Sequence, residues 1–125
     1  MKNKLFVKLL ILLTIFLSGC TFLNIKKDNI VDVVEEEYVV YHFRNEELLE
    51  SHFEKHGIEM GFNDKEEYES AANDVINNEN SLHKLEKEDN DDVYYLEETK
   101  EFVVLSTDGY IRTYFLASKN YFDKQ

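Results

Sequence analysis

The sequence predicts an α+β domain, with two N-terminal helices packed on an antiparallel β-meander and a signal peptide in front. Two stretches between Asn45 and Asn78 repeat apolar residues at helical spacing. Three later segments are rich in β-branched and aromatic residues, and the last two are joined by Asp108-Gly109, a strong hairpin signal. Helices followed by strands, without strict alternation, indicate helices on one face of a sheet.

The first nineteen residues have the parts of a bacterial signal peptide. Lys2, Lys4 and Lys8 form a positive segment, and an uncharged apolar run follows over residues 9–17. As a helix this run spans roughly 14 Å, about half of a ~30 Å hydrocarbon core. It is therefore too short for a permanent membrane span, and we expect residues 1–19 to be cleaved.

Cys20 is the only cysteine, and it follows the apolar run directly. The sequence Leu17-Ser18-Gly19-Cys20 resembles the lipobox of bacterial lipoproteins, in which the cysteine takes a diacylglyceryl group before cleavage. A lone thiol in an exported chain has no internal disulfide partner, which favours modification. We therefore expect a lipid-anchored protein of the cell envelope; the alternative is a plain signal peptide with an incidental cysteine.

The composition restricts the partners. The chain has a formal net charge of −12, and removing residues 1–19 takes away three lysines and no acid, which leaves −15. This balance argues against electrostatic capture of nucleic acid and against a basic membrane clamp. We expect contact with the membrane through the lipid on Cys20, an envelope component or protein as partner, no DNA, and no cofactor.

Residues 20–30 are predicted to be the lipidated cysteine and a tether, and residues 31–125 to be one domain. Residues 30–43 favour one or two strands. Asn45 is a good N-cap for the first helix, and Gly57 suits its left-handed end. Asp64, with Glu67 as capping-box partner, begins the second helix, which Asn77-Asn78 ends.

The remaining chain is assigned to a loop and a meander. Residues 86–92 are predicted to be a solvated charged loop. Its acids Glu88, Asp89, Asp91 and Asp92 lack the glycine and the spacing of an EF-hand. Three strands are predicted after it, over residues 93–97, 101–106 and 110–115.

His52 and His56 are four residues apart on the first helix and share a face with apolar residues. Such a pair can contact one metal or one substrate proton, but a metal needs a third ligand such as His83 or an acid. The alternative is that both rings pack at the edge of the core and bond to strand carbonyls. We predict no metal.

Arg112 is one of two arginines, and aromatic residues flank it in a predicted strand. Strand alternation places Arg112 with Tyr110 and Tyr114, and Thr113 with Ile111 and Phe115. An arginine beside tyrosine hydroxyls can bind a phosphate. The alternative is a cross-strand ion pair with Glu97 or Glu101.

Several segments of the chain resemble small domains of phage proteins and of polymorphic toxin C-termini. These segments are HFEKHGIEMGF, EYESAAN, DDVYYLEETKEFVVLSTDGYIRTYF and the terminal YFDKQ. Those domains belong to the barnase–EndoU–colicin-type ribonuclease fold. The similarity covers about residues 52–125, and the KHG motif and the DGYIRTYF hairpin are its most specific parts. It implies a metal-free ribonuclease site on this domain.

By position, the resemblance implies that His52, Lys55 and His56 supply the catalytic base and acid, and that Arg112 and Thr113 hold the scissile phosphate. Acid–base catalysis of this kind typically contributes ~10²–10⁴-fold. Because the chain is acidic and its predicted location lies outside the cytoplasm, the sequence favours a non-catalytic or degenerate ribonuclease-fold domain. The alternative is an active ribonuclease that binds RNA.

Overall fold

The computed structural model describes residues 35–125. The elements in chain order are β1 (His42–Phe43), α1 (Glu46–His52), a π-helical turn (Phe53–Gly57), α2 (Lys65–Asn77), β2 (Leu82–Leu85), β3 (Asp92–Leu96), β4 (Glu101–Leu105), β5 (Tyr110–Leu116) and α3 (Lys119–Asp123). The α+β class is confirmed. The signal peptide, Cys20, the tether and residues 31–34 lie outside the described residues. Among residues 35–125, no helix is both long and apolar enough to cross a bilayer.

The sheet has five strands in the order β1-β5-β4-β3-β2. Strands β2 to β5 form the antiparallel meander, but β1 pairs parallel with β5, so the sheet is mixed. The helices are also not confined to the N-terminal side, because α3 follows the last strand. Strand β2 and helix α3 were not predicted; β2 has four residues and α3 only five, too short for a clear periodic pattern.

Both faces of the sheet are covered. On one face, Tyr68 and Val75 of α2 pack against Val103 and Tyr114 in the larger core. On the other face, Phe122 of α3 packs against Val93, Tyr95 and Phe102. Because successive strand residues alternate between faces, Val93 and Tyr95 belong to one core and Tyr94 and Leu96 to the other.

Most of the predicted strand over residues 30–43 is wrong where it is described, because only His42–Phe43 is a strand. The backbone before it bonds to two asparagines of α2 instead of to a strand. Asn73 Oδ1 accepts from the Tyr41 amide at 2.6 Å, and Asn73 Nδ2 donates to the Tyr41 carbonyl at 2.8 Å. Asn77 bonds to Val39 in the same way, at 2.8 Å each. These amide side chains satisfy the backbone that a strand partner would otherwise satisfy.

Helices α1 and α2 begin at the N-cap residues that the sequence predicted. The side chain of Asn45 accepts from the Leu48 amide at 2.9 Å, and that of Asp64 accepts from the Glu67 amide at 2.8 Å. Glu67 reaches back to the amide of Asn63 at 3.1 Å, one residue before the cap. Asn78 is the C-cap of α2, as expected.

The prediction that Gly57 ends the first helix in a left-handed conformation is wrong. The positive φ belongs to Gly61, at +93°, and Gly57 closes the π-helical turn that continues α1. A Cβ at Gly57 would collide with the Phe53 ring and lie 3.0 Å from Cδ2 of Tyr68. Gly57 therefore serves the close approach of two aromatic rings.

Candidate functional site

The residues of β5 that carry the predicted site do not alternate as expected. Val104 lies opposite Thr113 while Leu105 lies opposite Ile111, so Arg112 is the extra residue of a β-bulge. Ile111 and Tyr114 consequently both enter the larger core. The prediction that Arg112 and Tyr114 share a face is therefore wrong, since Tyr114 is fully buried and Arg112 is exposed.

An open cleft of about 660 Å³ lies where α1 faces the start of β5 and the turn before it. We call it the arginine cleft. Its walls include Arg44, His52 and Arg112, together with Tyr110 and Ser106. Two arginines and three aspartates line it, the latter being Asp89, Asp91 and Asp108. It is therefore a polar cleft of mixed charge.

Arg112 is held by carboxylates of the β2–β3 loop. Its Nη1 lies 2.5 Å from Oδ2 of Asp91 and 3.7 Å from Oδ2 of Asp89. The Asp91 side chain is only 5 % exposed, and its hydrogen bond and charge raise the pKa of Arg112. An ion pair was one of the expected outcomes, but the expected partners Glu97 and Glu101 are wrong, because Arg112 pairs with Asp91 and Asp89. Glu101 accepts the Tyr114 hydroxyl instead.

Arg44 is the second arginine of the cleft, and no role was predicted for it from the sequence. Its Nη2 donates to both oxygens of Asp108, at 2.9 and 2.8 Å, and its guanidinium lies 4.4 Å from the centre of the Tyr110 ring. Hydrogen bonds from Ser106 and from Arg44 lower the pKa of Asp108. Asp108 was predicted only as a turn residue, and its partner lies 64 positions earlier, beyond the reach of any local pattern.

His52 lies at the edge of the core, as one of the two interpretations predicted. Its ring centre is 5.2 Å from that of Phe43, but its Nδ1 is buried without a hydrogen-bond partner among the described residues. This nitrogen therefore does not form the hydrogen bond to a strand carbonyl that was expected of the ring. Burial, and then the neighbouring His56 and Lys55, lower the pKa of His52, so the ring is uncharged at neutral pH.

The other predicted residues do not line the arginine cleft. His56 stacks on Phe115, with 5.2 Å between ring centres, and lines a separate hollow beside Glu59 and Met60. Its ring centre is 6.2 Å from that of His52. Lys55 is exposed, and Thr113 lies on β5 opposite Val104. The structure thus brings His52 and Arg112 to one cleft and leaves Lys55, His56 and Thr113 outside it.

Among residues 35–125, no third candidate metal ligand is grouped with His52 and His56. His83, the expected candidate, lies on β2, where its Nε2 is 2.6 Å from Asp92 Oδ1 and its ring stacks on Tyr94. Within residues 35–125, the carboxylates of Glu86, Asp89 and Asp91 do come within 4.8 Å of one another. Arg112 already supplies the positive charge at that cluster. The loop is also less solvated than predicted, since Asp91 is buried and Asp92 belongs to β3.

Neither a protein-family model nor a curated protein matches this chain.

Proposed function

We propose that this chain is a lipid-anchored bacterial envelope protein whose ribonuclease-like domain binds an envelope component or a partner protein and does not cleave RNA. The location follows from the apolar leader and the lipobox-like Leu17-Ser18-Gly19-Cys20. Two acyl chains are enough for stable attachment where a single chain is marginal. The domain would then stand outside the cytoplasm, where RNA is scarce.

The observation that carries this proposal is the state of the two arginines in the arginine cleft. Arg44 donates to both oxygens of Asp108, and Arg112 pairs with the buried Asp91. An RNA phosphate would have to displace a carboxylate from either guanidinium, against the repulsion of three aspartates. A phosphate-binding site is expected to present free positive charge.

The residues implied as catalytic base and acid lie in different places, which also supports a non-catalytic role. Cleavage of RNA needs one group to take the proton of the ribose 2′-hydroxyl and another to protonate the leaving oxygen. His52 is the one histidine among the described lining residues of the arginine cleft, while His56 and Lys55 lie outside it. His52 could therefore take the first proton, but no second histidine and no lysine among the described lining residues could protonate the leaving oxygen.

An active ribonuclease is the second candidate, and one observation favours it. His52 and Arg112 line the same open cleft, and the lowered pKa of His52 keeps its ring able to accept a proton at neutral pH. For this candidate, substrate binding would have to release Arg112 from Asp91.

A growth experiment separates the two candidates. The chain lacking residues 1–19 is expressed in the bacterial cytoplasm beside its His52→Ala and His56→Ala variants, with His83→Ala as a control outside the arginine cleft. We expect all four cultures to grow equally. Growth arrest by the unmutated chain that His52→Ala relieves and His83→Ala does not would favour the ribonuclease.

A further inference from the structure

Another cavity, of about 340 Å³, is lined by residues of α2 and of the sheet, among them Val75 of α2 and Tyr114 of β5. We call it the α2 pocket. Val75, Leu96 and Tyr114 form its buried floor, and Met60 and Phe62 form part of its wall. Ligand sites in proteins are typically ~300–1,000 Å³ and largely apolar with a few polar groups, so this cavity suits a small ligand.

Two carboxylates, Asp74 and Glu101, line the α2 pocket, and none of its described lining residues is basic. Within the described part of the chain, neither forms a salt bridge. Asp74 Oδ1 accepts the Tyr38 hydroxyl at 2.7 Å, and Glu101 Oε2 accepts the Tyr114 hydroxyl. The second oxygen of each carboxylate has no donor among residues 35–125.

Both carboxylates share the lining of the pocket with Tyr114. The pKa of Tyr114 is raised, first by burial, then by the hydrogen bond and charge of Glu101, and further by Tyr68 and Asp74. Tyr114 therefore stays protonated and holds Glu101 in place. Asp74 and Glu101 therefore both place negative charge beside the apolar floor.

We propose that the α2 pocket binds a small organic cation that carries a primary ammonium on an apolar body. The carbon skeleton would lie on the floor, and the ammonium would donate to the free oxygens of Asp74 and Glu101. Hydrogen bonds between charged groups are roughly twice as strong as neutral ones. An anion would be repelled, and a neutral ligand would bury the carboxylates without a counter-charge.

A metal ion fits this pocket less well than an organic cation. Among the described residues, the one group of three close acidic ligands is Glu86, Asp89 and Asp91, and none of these lines the α2 pocket. Calcium takes six to eight oxygen ligands, whereas most of this lining is apolar.

The test is calorimetric titration of the full chain in a nonionic detergent, with detergent alone as the blank. The probes are 2-phenylethylamine, 2-phenylethanol and 3-phenylpropanoate, which share a ring and differ in charge. We expect the amine to bind, the alcohol to bind at least about tenfold more weakly, and the carboxylate not to bind. Equal binding of amine and alcohol, or no binding of the amine up to ~10 mM, would overturn the proposal.

Matched variants locate the binding. Glu101→Gln and Asp74→Asn keep an oxygen to accept the tyrosine hydroxyl and remove the charge, so each should weaken amine binding roughly tenfold and leave alcohol binding unchanged. Glu47→Gln removes an exposed charge on α1 and should change neither. A loss of amine binding in Glu47→Gln as large as in Glu101→Gln would indicate non-specific attraction and overturn the proposal. Calcium binding that Glu101→Gln and Asp74→Asn both abolish would also overturn the proposal and would indicate a metal site instead.

Discussion

At the scale of single residues, Arg112 is where the predicted and observed chemistry differ most. The sequence identified the residue and left its partner open between a phosphate and an acid. The bulge places it beside Asp91, and the buried position of that carboxylate makes the pair more than a surface contact. Sequence alone could not identify Asp91, because neither the bulge nor the folding of the β2–β3 loop has a local signature.

Asp91→Asn should destabilise the domain by about 1–3 kcal/mol, because it replaces a buried carboxylate that accepts a charge-assisted hydrogen bond from Arg112. Asp89→Asn is the matched control: its side chain is 60 % exposed and 3.7 Å from Arg112, so its loss should cost ~0–1 kcal/mol. Urea unfolding of both variants measures the difference. Equal free energies of unfolding would show that Asp91 does not anchor Arg112.

His52 and His56 make the stability depend on pH. Burial is the main cause of the lowered pKa of each, so the unfolded chain binds more protons than the folded chain below the ordinary value of 6.5. The free energy of unfolding should therefore decrease as the pH falls through that value. We expect His52→Asn to lose less stability than wild type between about pH 7.5 and 5.5, and the double variant with His56→Asn to lose still less. Parallel pH profiles in urea titrations would contradict this.

At the scale of elements, the predictions succeeded where the determinants are local. Asn45 and Asp64 cap their helices through bonds to residues three positions on, and Asp108-Gly109 forms the expected turn before β5. The predictions that were wrong concern contacts between residues that are distant in the sequence. Residues 38–41 have strand-like composition, but β5 begins at Tyr110, opposite His42, so residues before His42 run past the start of that strand. The asparagines of α2 bond to their backbone instead.

Asn73→Ala should destabilise the domain by about 1–3 kcal/mol, because it removes the bonds to both backbone groups of Tyr41 and one to the Glu69 carbonyl from a buried site. The Tyr41 amide should also exchange with deuterium faster. Asn80→Ala, at an exposed position, should change neither quantity measurably. Unchanged exchange at Tyr41 in Asn73→Ala would show that the asparagine does not hold this segment.

At the scale of the whole molecule, the sequence predicted two of the residues that line the arginine cleft, His52 and Arg112, and missed Arg44 with its partner Asp108. The missed pair joins the segment after β1 to the turn before β5, and these meet because β1 pairs with β5. That parallel pairing between distant segments has no signal in either stretch alone.

The proposed anchor gives a direct prediction. Cys20→Ala removes the one thiol that can carry the lipid, so the variant should move from the membrane fraction to the soluble fraction or accumulate as the uncleaved chain. Metabolic labelling with a fatty acid, followed by fractionation, measures both outcomes. Ser18→Thr, which retains the cysteine, serves as the control. Normal membrane levels of Cys20→Ala with no change in processing would contradict lipid anchoring.

The most direct test of the proposed function is incubation of the purified full chain with transfer RNA and total RNA, without added metal. We expect no cleavage above the detergent blank, because Arg44 and Arg112 are both paired with aspartates. In addition, no second histidine and no lysine is among the described residues that line the arginine cleft with His52. Cleavage by the unmutated chain that is lost in both His52→Ala and Arg112→Ala, and kept in His83→Ala, would contradict this expectation.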